Sequence, residues 1–325
     1  MKFSNKVSKI NQVIDRMMQE IVEGVYAPDD SLPSVNELSR QLRISRDTVF
    51  KAYKELKLRG VIDSAPMKGY FVVDDVKRVL LLLDVYSPFK ERLYNAFVAN
   101  LPAHVKVDLL FHQYNEKLFE MIVGDSIGKY NAYVVMNFKY DEMVAGLLKL
   151  PSSKLLLIDF CSFPTGGLSF IGQNFDAGFY RALDAAAERF GQYKRLVFVF
   201  PEDSVHPLGA IDAFLRFCVD RNLAHDVLRK HFEESDLCLD TAYICIMTDD
   251  LVSIVAATNR VGYKFGSQVG VAVYNDMPLL EIIQEGISAF SIDFTRLGEL
   301  AASFVAKGEK IQLEMPTCFI ERKSL

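Results

Sequence analysis

Short apolar runs alternate with helix-length amphipathic segments after residue 78, and this alternation limits the fold more than any other feature. Seven runs have the length and composition of buried strands. Most are separated by segments long enough for a helix, as in parallel sheets that helices cover on both faces. The pattern predicts an α/β region large enough for two lobes. The runs are VLLLLDV (79–85), VKVDLLF (105–111), YVVM (133–136), LLLID (155–159), RLVFVF (195–200), YICIM (243–247) and VGVAVY (269–274), and the helical segments include 90–101, 115–124, 175–190 and 207–222.

The amino-terminal quarter has a different pattern, that of three short helices. Apolar residues recur at spacings of three and four from 7 to 22, which indicates an amphipathic helix. Ser34, followed three residues later by Glu37, forms a capping box that opens a second helix. Ser45 can cap a third helix, which Gly60 ends.

A β-hairpin follows the third helix. The strands VIDS and YFVV flank the turn APMKG, whose tip holds Lys68 and Gly69. Residues 32–60 carry seven Lys and Arg against three Asp and Glu, although the whole chain has a net charge of −5. Three helices and a hairpin predict a winged helix-turn-helix, with the positive charges where a recognition helix meets phosphates and base edges.

A dense motif supports this interpretation. The pattern G-V-Y-x-P-x-D-x-L-P-S-V-N-E-L-S-R-x-L-x-I-S-R-D-T-V-x-K-A-Y-x-E-L-x-x-x-G-x-I, closing with K-G-Y-F-V, resembles the DNA-binding domain of the GntR family of bacterial transcription regulators. The residue after LPSV is often Arg in that family and is Asn36 here. The resemblance implies that the wing reaches the minor groove and that the remaining positions contact bases or phosphates. The DNA-contacting set is Ser34, Asn36, Ser45, Arg46, Thr48, Lys51, Lys68 and Gly69.

A second resemblance covers the remainder of the chain. The motifs LLLDVYSPF, IGQNFDAGFYRAL, CIMTDDLVSIV, VGVAVYNDMPLLEII and FSIDFTRLGELAASFV, in that order, resemble the effector domain of LacI-type repressors, which is similar to periplasmic sugar-binding proteins. It implies two lobes joined by three crossovers, a ligand between them, and dimerisation. The implied ligand-binding residues are Ser87, Phe89, Gln173, His206, Asp249, Asp276 and Phe294.

The chain departs from that family at two places. Gln173 and Asn174 stand where Asp-Asn is usual, and the segment VHPLGAIDAF, which contains His206, lacks a common Arg. Carboxylate and amide groups can accept hydrogen bonds from hydroxyls, and Phe89 or Phe294 can pack on the apolar face of a ring. Because no basic cluster occurs among these positions, the sequence favours a neutral polyhydroxylated ligand over a phosphorylated one.

Signs of catalysis or cofactor binding are lacking in the sequence. It has no G-x-G-x-x-G after a strand, no G-x-x-x-x-G-K-[ST] and no G-x-S-x-G. Its five cysteines show no C-x-x-C spacing, and no H-E-x-x-H occurs, so we expect no metal and no cofactor. For Asp249 and Asp250 the alternatives are an acid/base dyad and capping of the following helix, and capping is favoured. We therefore expect a protein that is not an enzyme.

These patterns combine into one expectation. Residues 1–74 form the winged helix-turn-helix, 75–78 a linker, and 79–325 the two-lobed effector-binding and dimerisation domain. With no apolar leader and no run of about 18 uncharged apolar residues, we expect a cytoplasmic protein without membrane contact.

We expect a homodimer that binds double-stranded operator DNA and a neutral monosaccharide, and that represses carbohydrate-use genes. Two alternatives remain. The second domain could serve only for oligomerisation or a protein partner, or the winged helix could be fused to a sugar-modifying enzyme.

Overall fold

The computed structural model describes residues 8–58, 60–73, 77–102, 105–139, 143–160 and 166–325. The chain separates into two compact units, Met1–Val79 with Pro102–Asp108 and Leu80–Leu101 with Leu109–Leu325. Half of the predicted linker (75–76), and Cys161, lie outside the described residues, and the predicted domain limits stay a prediction. Among the described residues, no helix is both long and apolar enough to cross a membrane.

The first unit contains a winged helix-turn-helix, as predicted. Its helices are α1 (Lys9–Val22), α2 (Val35–Leu42) and α3 (Arg46–Leu58), and its hairpin is formed by β1 (Ile62–Ala65) and β2 (Gly69–Val72).

Caps and a small apolar core hold this unit together. The Oγ of Ser34 accepts from the backbone N–H of Glu37 at 3.2 Å, and the Glu37 carboxylate accepts from the Ser34 N–H at 2.8 Å. This confirms the predicted capping box, which satisfies donors that a helix start leaves unpaired. Tyr53 is fully buried in the core, and its hydroxyl donates to the carbonyl of Pro33 at 2.8 Å. Val13, Met17, Leu38, Val49, Leu56, Ile62 and Val72 also belong to this core.

The rest of the chain builds two six-stranded sheets. The strands are β3 (Arg78–Leu83), β4 (Lys106–Phe111), β5 (Ala132–Met136), β6 (Leu155–Phe160), β7 (Ser169–Gln173), β8 (Arg195–Val199), β9 (Ala224–Leu228), β10 (Thr241–Cys245), β11 (Val269–Tyr274), β12 (Ser288–Ser291), β13 (Gln312–Met315) and β14 (Cys318–Ile320). The helices are α4 (Pro88–Ala99), α5 (Glu116–Ser126), α6 (Ala177–Ala185), α7 (Ala187–Phe190), α8 (Gly209–Asp220), α9 (Thr248–Val261) and α10 (Phe294–Lys307).

The strand orders define two lobes. The first sheet has the order β13-β7-β6-β5-β3-β4 and the second has the order β14-β12-β11-β10-β8-β9. In the second sheet every pair is parallel except β12 with β14. The chain passes between the sheets three times: after β7, between β12 and β13, and between β13 and β14. All seven predicted strands are present, and the predicted α/β class is confirmed.

One local prediction was wrong. Asp249 and Asp250 do not cap α9, because the helix begins earlier, with Met247 at the N-cap and both aspartates in the first turn. The buried carboxylate of Asp250 instead accepts from the backbone N–H of Phe232 at 2.8 Å. Asp250 therefore fixes a loop, and Asp249 is exposed.

The two helices α4 and α10 approach each other closely at Gly298. A Cβ at this position would lie 2.9 Å from the backbone N of Phe97 and closer still to the carbonyl of Leu93. Backbone atoms cannot yield as a flexible side chain can. Only glycine therefore permits this spacing.

We expect Gly298→Ala to destabilise the protein by about 2 kcal/mol or more, because α4 and α10 must separate. Gly124 is the matched control, since it lies in α5 and a Cβ there would meet no atom within 4 Å. Gly124→Ala should stabilise by about 0.5–1 kcal/mol through helix propensity. Urea unfolding of both variants measures the difference, and equal effects would contradict the packing described.

Candidate functional site

The start of α3 is fixed by two hydroxyl groups. The Oγ of Ser45 accepts from the backbone N–H of Thr48 at 3.2 Å, and the two side-chain hydroxyls lie 2.7 Å apart. This confirms Ser45 as the predicted cap. Arg46 and Lys51 are exposed on the same helix, and Lys51 pairs with Asp47 at 2.8 Å.

The remaining predicted DNA contacts lie on α2 and on the hairpin. Asn36 is exposed in the first turn of α2, whereas the Ser34 side chain is engaged in the capping box. Lys68, at the hairpin tip, pairs with Asp29 and lies 4.3 Å from the ring centroid of Phe71. Gly69 has a φ of +76°, a conformation that favours glycine and gives the turn its shape.

In the two-lobed unit, a buried ion pair lies where β3 ends. The Lys90 ammonium donates to the Asp84 carboxylate, and the exposed fractions of these side chains are 5% and 1%. The Tyr114 hydroxyl donates to the second oxygen of Asp84. Removing only one partner of such a buried charge pair strongly destabilises a protein, because the other charge is left buried and unpaired.

A chain of hydrogen bonds then connects the two sheets. The hydroxyl of Tyr274, at the end of β11, donates to Oε1 of Gln173 at 3.3 Å. The amide of Gln173, at the end of β7, donates to Asp159. We call Asp84, Lys90, Asp159, Gln173, His206 and Tyr274 the interlobe cluster.

Asp159 is unusual within this cluster. Burial raises the pKa of its carboxyl to about 6, while the hydrogen bond from Gln173 and the charge of Lys90 act to lower it. Its φ of +68° inside a strand is a conformation that non-glycine residues rarely adopt. Such outliers concentrate at binding sites, where the surrounding structure holds them.

His206 contributes an aromatic part to the cluster. Its ring centroid lies 4.4 Å from that of Tyr274 and 5.1 Å from that of Phe175. Burial lowers the pKa of His206 to about 3, so the imidazole is neutral at physiological pH. Its Nε2 is buried and has no hydrogen-bond partner among the described residues.

Asp276 and Phe294 line a cavity of about 270 Å³, which we call the Asp276 cavity. The Asp276 carboxylate accepts from Arg322 at 2.8 Å and lies 3.6 Å from Arg92. The Phe294 ring is buried, with its centroid 4.8 Å from that of Phe89. The lining also includes Ser291, Asp293, Thr295 and Cys318.

The predicted ligand residues therefore fall into two groups. Gln173 and His206 meet at Tyr274, whereas Asp276 and Phe294 line the Asp276 cavity and Phe89 packs against Phe294. The contacts of the described residues assign the other two to neither group: Ser87 precedes α4 and its buried Oγ has no partner among those residues, and Asp249 is exposed on α9.

Sequence reasoning missed four members of the interlobe cluster. Asp84 and Asp159 were visible as acidic residues that end apolar runs, a signal of a site at the carboxyl edge of a sheet. Lys90 and Tyr274 gave no such signal. Among the described residues, no group of three or more His, Cys, Asp or Glu could hold a metal ion.

The amino-terminal part of the chain matches a known protein family. Residues 9–72 match the model of the bacterial regulatory proteins of the gntR family. The amino-terminal unit contains a GntR-family helix-turn-helix domain. The HTH-type transcriptional repressor YtrA of Bacillus subtilis is 36% identical over 70 residues, which cover 22% of this chain and 54% of YtrA. The match thus spans about half the length of that relative, and it concerns the GntR-family domain.

The two-lobed unit matches solved structures of a different kind. The trehalose repressor from Escherichia coli superposes with a TM-score of 0.63 at 12% identity, over 76% of this chain and 100% of that one. A LacI family transcriptional regulator from Lactobacillus casei with bound sucrose gives 0.62 at 14% identity, over 76% and 99%. At these identities the likeness shows the fold alone, which is that of LacI-type regulators. This chain therefore combines that fold with a GntR-family domain.

Asp159 predicts a specific dependence of stability on pH. Its raised pKa means that the folded state binds the proton more tightly than the unfolded state. The resulting stabilisation is fully present below about pH 4 and is lost as the pH rises through about 6. Replacing Asp159 by asparagine, a neutral isostere, should therefore raise the free energy of unfolding by an amount that grows as the pH rises.

We expect the free energy of unfolding of the Asp159→Asn variant, relative to that of the unsubstituted protein, to increase by about 2–3 kcal/mol between pH 4 and pH 7. Denaturant unfolding of both proteins across that range measures the difference. Asp212→Asn, an exposed position in α8, is the control and should show no such trend. A constant difference between the Asp159→Asn variant and the unsubstituted protein would contradict the raised pKa.

Proposed function

We propose that this protein is a sequence-specific DNA-binding transcription regulator, a repressor of carbohydrate-use genes, that responds to a neutral sugar or related polyol bound between its lobes. The observation that carries the proposal is the union of a GntR-family domain with a two-lobed LacI-type fold. The first supplies an exposed basic helix, and the second supplies a buried polar cluster at the meeting of two sheets.

The exposed side of α3 supports the DNA-binding part. Arg46 and Lys51 lie on the first turns, and the cap at Ser45 sets the helix start from which they project. In helix-turn-helix proteins the amino-terminal residues of the recognition helix contact base edges in the major groove. Lys68 on the hairpin is placed for a phosphate or for the minor groove.

The balance of charges supports a neutral ligand. Three cations of the described residues near the interlobe cluster and the Asp276 cavity lie against carboxylates: Lys90 against Asp84, and Arg92 and Arg322 against Asp276. A phosphorylated ligand would require cations that are available to it. The acceptors Gln173 and Asp159 and the imidazole of His206 instead suit hydroxyl groups.

A two-lobed domain can couple ligand binding to operator binding. In a homodimer, two recognition helices would enter successive major grooves of an approximate palindrome, with half-sites about 34 Å apart. A ligand that prefers one arrangement of the lobes shifts the population toward it, by no more than its difference in affinity for the two arrangements. A change in the spacing of the two GntR-family domains then alters operator affinity.

The DNA-binding part is tested by fluorescence anisotropy with duplexes selected from a random pool. We expect binding that weakens steeply between 50 and 200 mM salt, as phosphate contacts require. Arg46→Ala should weaken binding by about 1–3 kcal/mol, whereas Arg260→Ala, in the exposed part of α9, should have no effect. A failure to enrich any duplex would overturn the DNA-binding proposal.

The ligand-binding part is tested by thermal unfolding with neutral mono- and disaccharides and with sugar phosphates. A specific ligand at 100 times its dissociation constant should stabilise the protein by about 2.7 kcal/mol. Asp276→Asn keeps an acceptor for Arg322 but should lower the affinity for that ligand about tenfold. Asp212→Asn should leave that affinity unchanged. A response to sugar phosphates alone would contradict the neutral class, and no response to any sugar would favour an oligomerisation role.

A further inference from the structure

Phe50 is the exposed aromatic side chain of the recognition helix. It lies in the second turn of α3, and 51% of its surface is exposed. We propose that Phe50 contacts the 5-methyl group of a thymine in the major groove and so sets a base preference at one operator position. This inference rests on the proposed DNA-binding function and adds a specificity determinant to it.

The helix geometry places Phe50 away from the core. Val49, Tyr53 and Leu56, which form the buried side of α3, have no exposed surface. Phe50 is not among the residues that build or adjoin this core. The stability of the domain therefore does not explain a large apolar side chain at this position.

Charged side chains surround Phe50 on the exposed face. Arg46 and Lys54 lie four residues before and after it, so all three project from one side of the helix. An isolated exposed apolar side chain is ordinary on a protein surface. Here, however, it stands between two cations that would bring the same helix face against DNA, and it would be desolvated on binding.

The chemistry of a phenyl ring selects the partner. The ring neither donates nor accepts a hydrogen bond, so it gains nothing from a phosphate or from the polar edge of guanine. Thymine alone among the four bases presents a methyl group in the major groove, and Phe is among the side chains that contact it. Apolar wedges that kink DNA enter through the minor groove, which a recognition helix does not occupy.

Replacing thymine by deoxyuridine removes that methyl and nothing else. The test therefore measures the affinity of the full-length protein for its selected duplex, with each thymine replaced in turn. At one thymine per half-site we expect about a fivefold loss of affinity, the effect of one methyl group leaving an apolar contact. Phe50→Ala should bind the thymine duplex about fivefold or more weakly and should be indifferent to deoxyuridine at that position.

Two further variants separate this role from a general effect. Phe50→Leu retains an apolar side chain and should keep part of the preference for thymine. Leu58→Ala, which truncates an even more exposed apolar residue at the end of α3, should behave as the unsubstituted protein. Thermal unfolding should be unchanged in all three, because neither residue is buried.

The outcomes distinguish the two proposals. If no duplex binds, the proposed function fails. If a duplex binds but every deoxyuridine substitution affects the Phe50→Ala variant and the unsubstituted protein equally, only the role of Phe50 is overturned. If Phe50→Ala changes the oligomeric state and leaves the base preference intact, Phe50 belongs to a protein interface and the inference is wrong.

Discussion

The three passages of the chain between the two sheets are the constraint on which the two-lobed unit depends. Strand β13 joins the first sheet beside β7, although it comes more than a hundred residues later, and β14 returns to the second sheet beside β12. Neither lobe is thus a continuous piece of sequence. Movement of one lobe against the other must be absorbed at these passages, as in hinged proteins, where a few residues at element ends take up the change.

The first passage begins at Gln173, which also belongs to the polar chain between the sheets. Gln173 donates to Asp159 on its own sheet and accepts from Tyr274 on the other. Buried polar networks are stabilising when every member is satisfied and costly when one is not. In the proposed function, a ligand that took over one of these hydrogen bonds would change the relation between the lobes directly.

The sequence predicted much of this arrangement, and the omissions have physical causes. Local signals were sufficient for the capping box at Ser34, the cap at Ser45 and the seven longer apolar runs. Five strands were missed. Two of them, β13 and β14, have only four and three residues, which carry too little periodic pattern. The partner of Asp276 depends on tertiary packing: Arg322 meets Asp276 across 46 residues of sequence, which no local pattern encodes.

The proposed function requires that the interlobe cluster and the GntR-family domain are thermodynamically coupled. The most direct measurement is the operator affinity at zero and saturating sugar, together with the sugar affinity with and without operator. Coupling must be reciprocal, so both comparisons should give the same factor, between about 5 and 150. A sugar that binds tightly yet leaves operator affinity unchanged would contradict the claim.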